Sequence, residues 1–315
     1  WTKMDEANNS VVSEFVLLGL CNSRQLQIFL FLLFSVLYLT IILGNILIIL
    51  SVINDPNLHS PMYFLLANLS FIDLWLSSVT TPKMIIDFLR ESKTISFGGC
   101  LCQIFFGHFV GGGEMVLLVA MAYDRYVAIC KPLYYTTIMN QKRCIGLVVI
   151  SWAVGFVHSV SQLAIIIDLT FCGSKKMDSF FCDLPLVIEL ACMDAHVLRL
   201  IVNIDSGILA LICFFLLLIS YAHILLTVCH HSMDGSTKAL STCTAHIMVI
   251  VIFFGPCIFI YLWPLKIASV DKFLAVFYTV FTPLLNPAIY TLRNKEMKVA
   301  LKKWGSQYVN FKRNS

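Results

Sequence analysis

The chain has 315 residues, of which 59% are hydrophobic and only 13% charged, and its mean hydropathy is +0.85. That balance excludes a soluble domain and reads as a membrane protein. The formal charge of +4 calls for no nucleic-acid partner, because the basic residues fall where a membrane protein keeps them.

A hydrocarbon core about 30 Å thick takes roughly 20 apolar residues per helical span. Seven such stretches follow one another, at about 26–52, 60–81, 98–129, 143–167, 197–229, 238–263 and 272–292. This is an all-α fold, a bundle of seven transmembrane helices, with 1–25 as an extracellular tail and 293–315 as a short cytoplasmic amphipathic helix and tail. An odd number of spans puts the termini on opposite sides. With the N-terminus outside, twelve Lys and Arg face four acidic residues in the cytoplasm, while ten face eleven on the outer side. The positive-inside rule chooses that orientation, in a multi-pass protein of the plasma membrane. Residues 1–25 are mixed and polar, so the first span itself serves as the targeting signal.

In the tail, Asn8-Asn9-Ser10 is a glycosylation acceptor by virtue of its outer placement. A second match, Asn68-Leu69-Ser70, falls inside a span and is discounted. The first span carries Gly44-Asn45 among Ile and Leu, a packing notch with one polar group expected to reach toward the seventh span. The turn-rich loop 54–61 makes spans one and two antiparallel neighbours. The second span then leads Asp73 to mid-membrane, where a carboxylate is a functional candidate by default.

The third span holds Glu114, and two acids in an apolar bundle repel unless they share a proton or a cation. Asp73 and Glu114 therefore suggest a buried Na⁺ or shared-proton site; no other cofactor is expected. In the same helix His108, Gly111, Gly112 and Met115 follow i, i+3, i+4, i+7 spacing. The glycines mean either close helix packing or room for a small ligand, with His108 as its polar contact. At the inner end stands Asp124-Arg125-Tyr126, a charged pair costing several kcal/mol unless each satisfies the other. An Arg snorkelling to headgroups is the plain alternative to a switch held closed by the Asp.

Span four, with Trp152 and His158, reads as packing surface. The outer segment 168–196 is the longest loop and a candidate lid. Cys100, Cys172, Cys182 and Cys192 lie in the outer segments, where bridges persist, and allow three pairings. The twelve cysteines form no C-x-x-C or His/Cys cluster, which argues against a zinc site. Span five presents Val202, Asp205, Ser206 and Leu209 on one face and ends in Ser220-Tyr221. Span six opens with Lys238 through His246 and carries Phe254, Cys257, Ile258 and Tyr261 on one face around Pro256. Span seven contains Pro283 and Asn286-Pro287 through Tyr290, whose prolines free carbonyls that polar neighbours must satisfy. Residues 294–304 form a basic amphipathic stretch.

Met121 through Cys130, Pro61-Met62-Tyr63, Ser220-Tyr221, Lys238 through His246 and Pro283 through Asn294, in order across seven spans, resemble the hallmark segments of the olfactory receptor family within the rhodopsin-like class A G-protein-coupled receptors. The wording from Leu66 to Asp73 is similar to its class II, tetrapod group. The resemblance implies that Arg125 leaves Asp124 on activation and, with Tyr221 and Tyr290, makes room for a G protein, and that His246 locks the inactive state. It implies a cation site at Asp73 and Glu114, and a bridge Cys100–Cys182 with Cys172–Cys192, a Cys100–Cys192 pairing being the alternative. Its ligand cradle maps to His108, Gly111, Gly112, Met115, Val202, Asp205, Ser206, Leu209, Phe254, Cys257, Ile258, Tyr261 and Thr279. Phe254 stands where the family commonly has Tyr, and Asp205 adds a charge facing the pocket.

The function so implied is an odorant receptor: a small, mostly apolar volatile activates an olfactory stimulatory G protein and raises cyclic AMP. A non-olfactory chemosensory receptor is the alternative. A transporter or channel using Asp73, Glu114 and Asp205 is weaker, since no inverted repeat appears. An enzyme is weaker still, because no motif pairs a nucleophile with its base.

Overall fold

In a computed structural model of the chain, the described residues are 13–167, 169–172, 175–192, 195–230, 236–262, 268–293 and 296–302. Six helices among them are long and apolar enough to cross a membrane, with a shorter apolar stretch, Ile247–Phe259, in the sixth position along the chain. The spans are Arg24–Asn54, Pro61–Asp87, Phe97–Cys130, Gln141–Ile166, Ala195–His230 and Ser236–Leu262, followed by a seventh, interrupted one. Short helices, Tyr135–Ile138 and Leu184–Glu189, lie in the loops before and after span four. The acceptor Asn8 lies outside the described residues.

Polar residues fix where these helices begin. Ser96 Oγ accepts from the Gly99 N–H at 3.1 Å to cap span three, and Asn140 does the same for Arg143 N at 3.0 Å ahead of span four. The outward faces stay apolar: Leu32, Val36 and Leu43 of span one are about 60% exposed. Such a surface is stable against lipid and not against water.

Spans three and four approach most closely, through a glycine notch. A Cβ at Gly155 would lie 2.3 Å from the Phe109 carbonyl oxygen and 2.8 Å from Gly113 N. Ser159 Oγ donates to the Phe105 carbonyl across the same seam at 2.6 Å. Backbone contact of this kind needs small residues on both helices.

The seventh span runs Ala268–Val276, a π-helical turn at Phe277–Phe281, and Thr282–Arg293. Pro287 has no N–H to give the carbonyl four residues earlier, that of Pro283. Asn45 of span one donates to it instead, Nδ2 to Pro283 O at 3.1 Å, while Gly44 leaves room for the Pro287 ring. Asn45 thus reaches the seventh span as its position suggests.

The tail is more ordered than its composition implies. Glu14–Leu17 forms strand β1, Thr94–Ser96 β2 and Lys176–Met177 β3, in the order β2-β1-β3, antiparallel on the first pair and parallel on the second. Gly19 follows with φ of 74°, a left-handed turn suited to glycine. Its carbonyl accepts from Lys272 Nζ at 3.1 Å, which also pairs with Asp178 at 2.5 Å. Phe15 is fully buried beneath this sheet. The alternating pattern was too short to read as a strand, and its partners lie far away in sequence. At the other end 296–302 is helical, with Met297 and Ala300 buried and Tyr63 Oη donating to Glu296 at 2.6 Å.

Candidate functional site

A cavity of about 90 Å³ lies in the half of the bundle nearest the sheet. Span three supplies its floor and one side: Gly107 and Gly111 present no side chain, His108 and Met115 flank them, and Ser206, Cys257 and Thr279 close it from spans five, six and seven. A Cβ at Gly111 would meet nothing within 4 Å, so that glycine leaves space, whereas Gly112 packs against Gly155 and His158 at 3.2–3.3 Å. Gly112 lines the cavity as well as sitting at the seam with span four, so packing and open space meet at that residue.

The roof is the loop after span four, from Phe181 to Leu184. Cys182 is bonded to Cys100, and Cys172 to Cys192, with Cα separations of 5.3 and 4.9 Å. The alternative Cys100–Cys192 pairing is not formed.

Other residues assigned to the cradle stand elsewhere. Val202 is buried under the loop, packed in the cluster around Phe15 and Cys182. Leu209 and Ile258 pack on the main core, and Phe254 is fully buried against Phe214 and Phe253, whose ring takes the cavity wall in its place. The side chain of Tyr261 lies outside the described residues.

Asp205 does not face the cavity. Its Oδ2 accepts from Gln162 Nε2 at 2.5 Å, Ser161 Oγ at 3.0 Å and His158 Nδ1 at 3.2 Å, all on span four. The helix presents Ser206 inward, and the next-door position then turns toward the neighbouring helix. His158 is accordingly more than packing surface: it lines the cavity with its ring 5.3 Å from that of His108. Span two contributes Leu76, Val79 and Thr80, span three adds Gln103 and span seven Tyr278. Of these only His158 carried a sequence signal, a titratable group in an apolar span.

Deeper in the bundle, Asp73 is fully buried and accepts from Asn286 Nδ2 through both oxygens, at 3.0 and 3.1 Å. Glu114 is equally buried and feels the Asp73 charge, and neither of its oxygens meets a donor in hydrogen-bonding geometry among the described residues. Two buried carboxylates, Glu114 with both oxygens unpartnered among the described residues and Asp73 held by one amide, have the hard oxygen chemistry that a small cation or a shared proton satisfies. No cluster of three or more His, Cys, Asp and Glu suited to a metal occurs among the described residues.

At the far end Asp124 is buried and lies 4.0 Å from Arg125 Nε, the outer limit of an ion pair. Its closer partner is Tyr135, in the loop after span three, which donates Oη to Oδ1 at 2.8 Å. Burial first, and the Asp124 charge next, push the Tyr135 phenol above its ordinary value, so it remains a donor. Tyr126 packs against His223 of span five with Lys131 above its ring, and Tyr221 is buried in the same core. The side chains of His246 and Tyr290 lie outside the described residues. Removing the Tyr135 donor should free Asp124. A neutral donor on a carboxylate contributes about 1.5 kcal/mol, so Tyr135→Phe is expected to raise ligand-free signalling about tenfold, measured as basal nucleotide exchange on a co-reconstituted G protein.

Residues 34–307 match the olfactory receptor family. The chain is 63% identical to human olfactory receptor 4K14 over 98% of its own length and all of that protein's. It is 63% identical to human olfactory receptor 4K15, covering 97% of this chain and 94% of that one, and 60% identical to human olfactory receptor 4K5, covering 98% and 96%. Family, helical bundle, apolar cavity and the Asp124-Arg125 motif agree, and the chain therefore belongs to the olfactory receptor family: a multi-pass membrane receptor for odorants, of the G-protein-coupled class A type, and not an enzyme.

Proposed function

We propose that the receptor lies with its N-terminus and disulfide-tied loop outside, and takes a small, mostly apolar volatile into the cavity between His108, Met115, Ser206, Phe253 and Thr279. The observation that carries this is the cavity itself, closed by a covalently tied loop and lined chiefly by apolar groups with two imidazoles at one end. Its size is nearer to the roughly 150 Å³ void that accepts one benzene ring than to a drug pocket. Few polar anchors give modest affinity and broad tuning. Ligand acts by favouring the state in which Arg125 has left Asp124 and Tyr135, opening the inner end to an olfactory stimulatory G protein. Tyr126, Tyr221, His246, Asn286, Pro287 and Tyr290 are the remaining parts of that switch. Acceptor Asn8 carries glycan, and the basic amphipathic sequence 294–304 suits the inner membrane surface.

The test is cyclic AMP in cells expressing the chain with an olfactory-type G protein, against amines, alcohols, aldehydes and acids. Arg125→Ala should abolish every response at unchanged surface level. Asp205→Asn should leave amine responses no weaker than others, because Asp205 holds His158 and touches no ligand. A selective loss of amines would return Asp205 to the pocket.

Asp73 and Glu114 we assign to a Na⁺ ion or shared proton that steadies the inactive bundle. Purified receptor is expected to melt higher as Na⁺ replaces choline at constant ionic strength. Glu114→Gln should melt at the same temperature in both salts; a wild-type melt indifferent to Na⁺ would leave the proton as occupant.

A further inference from the structure

Among the described residues the cavity has a strong roof and one thin wall. The roof is bonded to span three, and its loop is paired through β3 to β1, so passage from water would require the whole cap to lift. The thin wall is made of Val79 and Gln103. Both residues also line a second hollow, of about 540 Å³, which opens sideways between spans two and three.

One side chain closes the seam. Gln103 Nε2 donates to the Val79 carbonyl of span two at 3.1 Å, and its Oε1 accepts from the Cys182 N–H of the roof at 3.0 Å. Swinging this single amide opens a path that lifting the roof would open only at the cost of a sheet. The hollow outside it suits an apolar solute: Trp75 and Phe106 face each other with ring centroids 5.6 Å apart, and Phe71 and Trp75 are more than 40% exposed on the side that meets lipid. An apolar odorant concentrates in the bilayer before it meets any receptor. Continuity with the cavity through two shared residues names the occupant as that same ligand.

We propose that the hollow between spans two and three is a membrane-facing vestibule for the receptor's own apolar ligand, with Gln103 as the gate between vestibule and cavity. This rests on the reading of the cavity as the odorant site. Cys102 lines the vestibule and not the cavity, and it is a free, exposed thiol. It supplies a way to block the path without touching the destination.

The full chain in phospholipid nanodiscs would be exposed to a six-carbon alcohol bearing an aliphatic diazirine, photolysed at increasing times, and mapped by mass spectrometry. In wild type, peptides carrying Trp75 and Phe106 are expected to label before those carrying Met115 and Phe253. Alkylating Cys102 with N-benzylmaleimide after folding should slow cavity labelling about tenfold or more while leaving its final level unchanged, and Cys102→Ser should be immune to the reagent. Cys102→Trp repeats the block genetically, and Gln103→Ala should speed cavity labelling. Equal rates with and without the block would overturn the vestibule, as would a final level that falls in proportion to the rate. Labelling confined to the vestibule peptides at all times would instead overturn the cavity as the odorant site.

Discussion

A Gly155→Ala receptor is expected to be almost absent from the cell surface. The added methyl would sit 2.3 Å from the Phe109 carbonyl oxygen, 2.8 Å from Gly113 N and 3.2 Å from Gly113 Cα. All three are backbone atoms, so no rotamer change relieves the clash and spans three and four must part. Overpacking of this kind costs about 3 kcal/mol, roughly a hundredfold in the folded-to-unfolded ratio. The same separation stretches the Ser159 bond to Phe105 and carries His158 away from His108. Gly146→Ala, on the same span with no atom within 4 Å of the new methyl, is the control and should behave as wild type. Gly111→Ala should also fold normally, but its methyl enters the cavity and should weaken larger odorants selectively. Flow cytometry on intact cells and thermal melts of purified protein read all three; a Gly155→Ala melt matching the parent would show that the seam closes less tightly than described.

Cys182→Ser is expected to lower stability more than Cys172→Ser. The Cys100–Cys182 bridge spans 82 residues and the other only 20. Chain-entropy bookkeeping gives about 4.5 kcal/mol for the longer loop and about 3.3 kcal/mol for the shorter, upper figures for a chain whose helices stay inserted when the bundle loosens. Function separates them further. Cys182 N–H holds Gln103, and Cys182 itself roofs the cavity. Melting temperatures of the two variants in detergent give the order, and the ranking reversed would mean that the loop's inner fold, not its tie to span three, carries the stability.

The spans, their order and the polar residues of the deep bundle were legible in the sequence because each is a local statement. Apolar length marks a helix, and a carboxylate in mid-membrane marks itself. Which face of a helix meets which neighbour is not local. Asp205 and Ser206 are adjacent, and only the contact of span four with span five decides that the first bonds Gln162 while the second faces the cavity. Phe253 and Phe254 exchange roles for the same reason, since one residue is 100° of helical rotation. Gln103 gave no pattern, and the loop was legible only as a candidate lid; that Phe181 to Leu184 are the residues over the cavity is set by a bridge between segments 82 residues apart. The cradle implied by the motif resemblance matches the cavity lining at His108, Gly111, Gly112, Met115, Ser206, Cys257 and Thr279 and departs from it at Val202, Asp205, Leu209, Phe254 and Ile258.

Strand β1 has a consequence for how the receptor is made. Residues 14–17 leave the ribosome ahead of every span, yet their partners at 94–96 and 176–177 emerge only after two and four spans have been synthesised. Phe15 must therefore wait, exposed, while about 160 further residues and four spans are made before it can be buried. Pairing over such sequence distance is slow, and an apolar residue held open meanwhile is a handle for chaperones and for aggregation. Closure of this small sheet must wait for four of the seven spans, so export from the endoplasmic reticulum should respond to mutations in the tail more than ligand binding does.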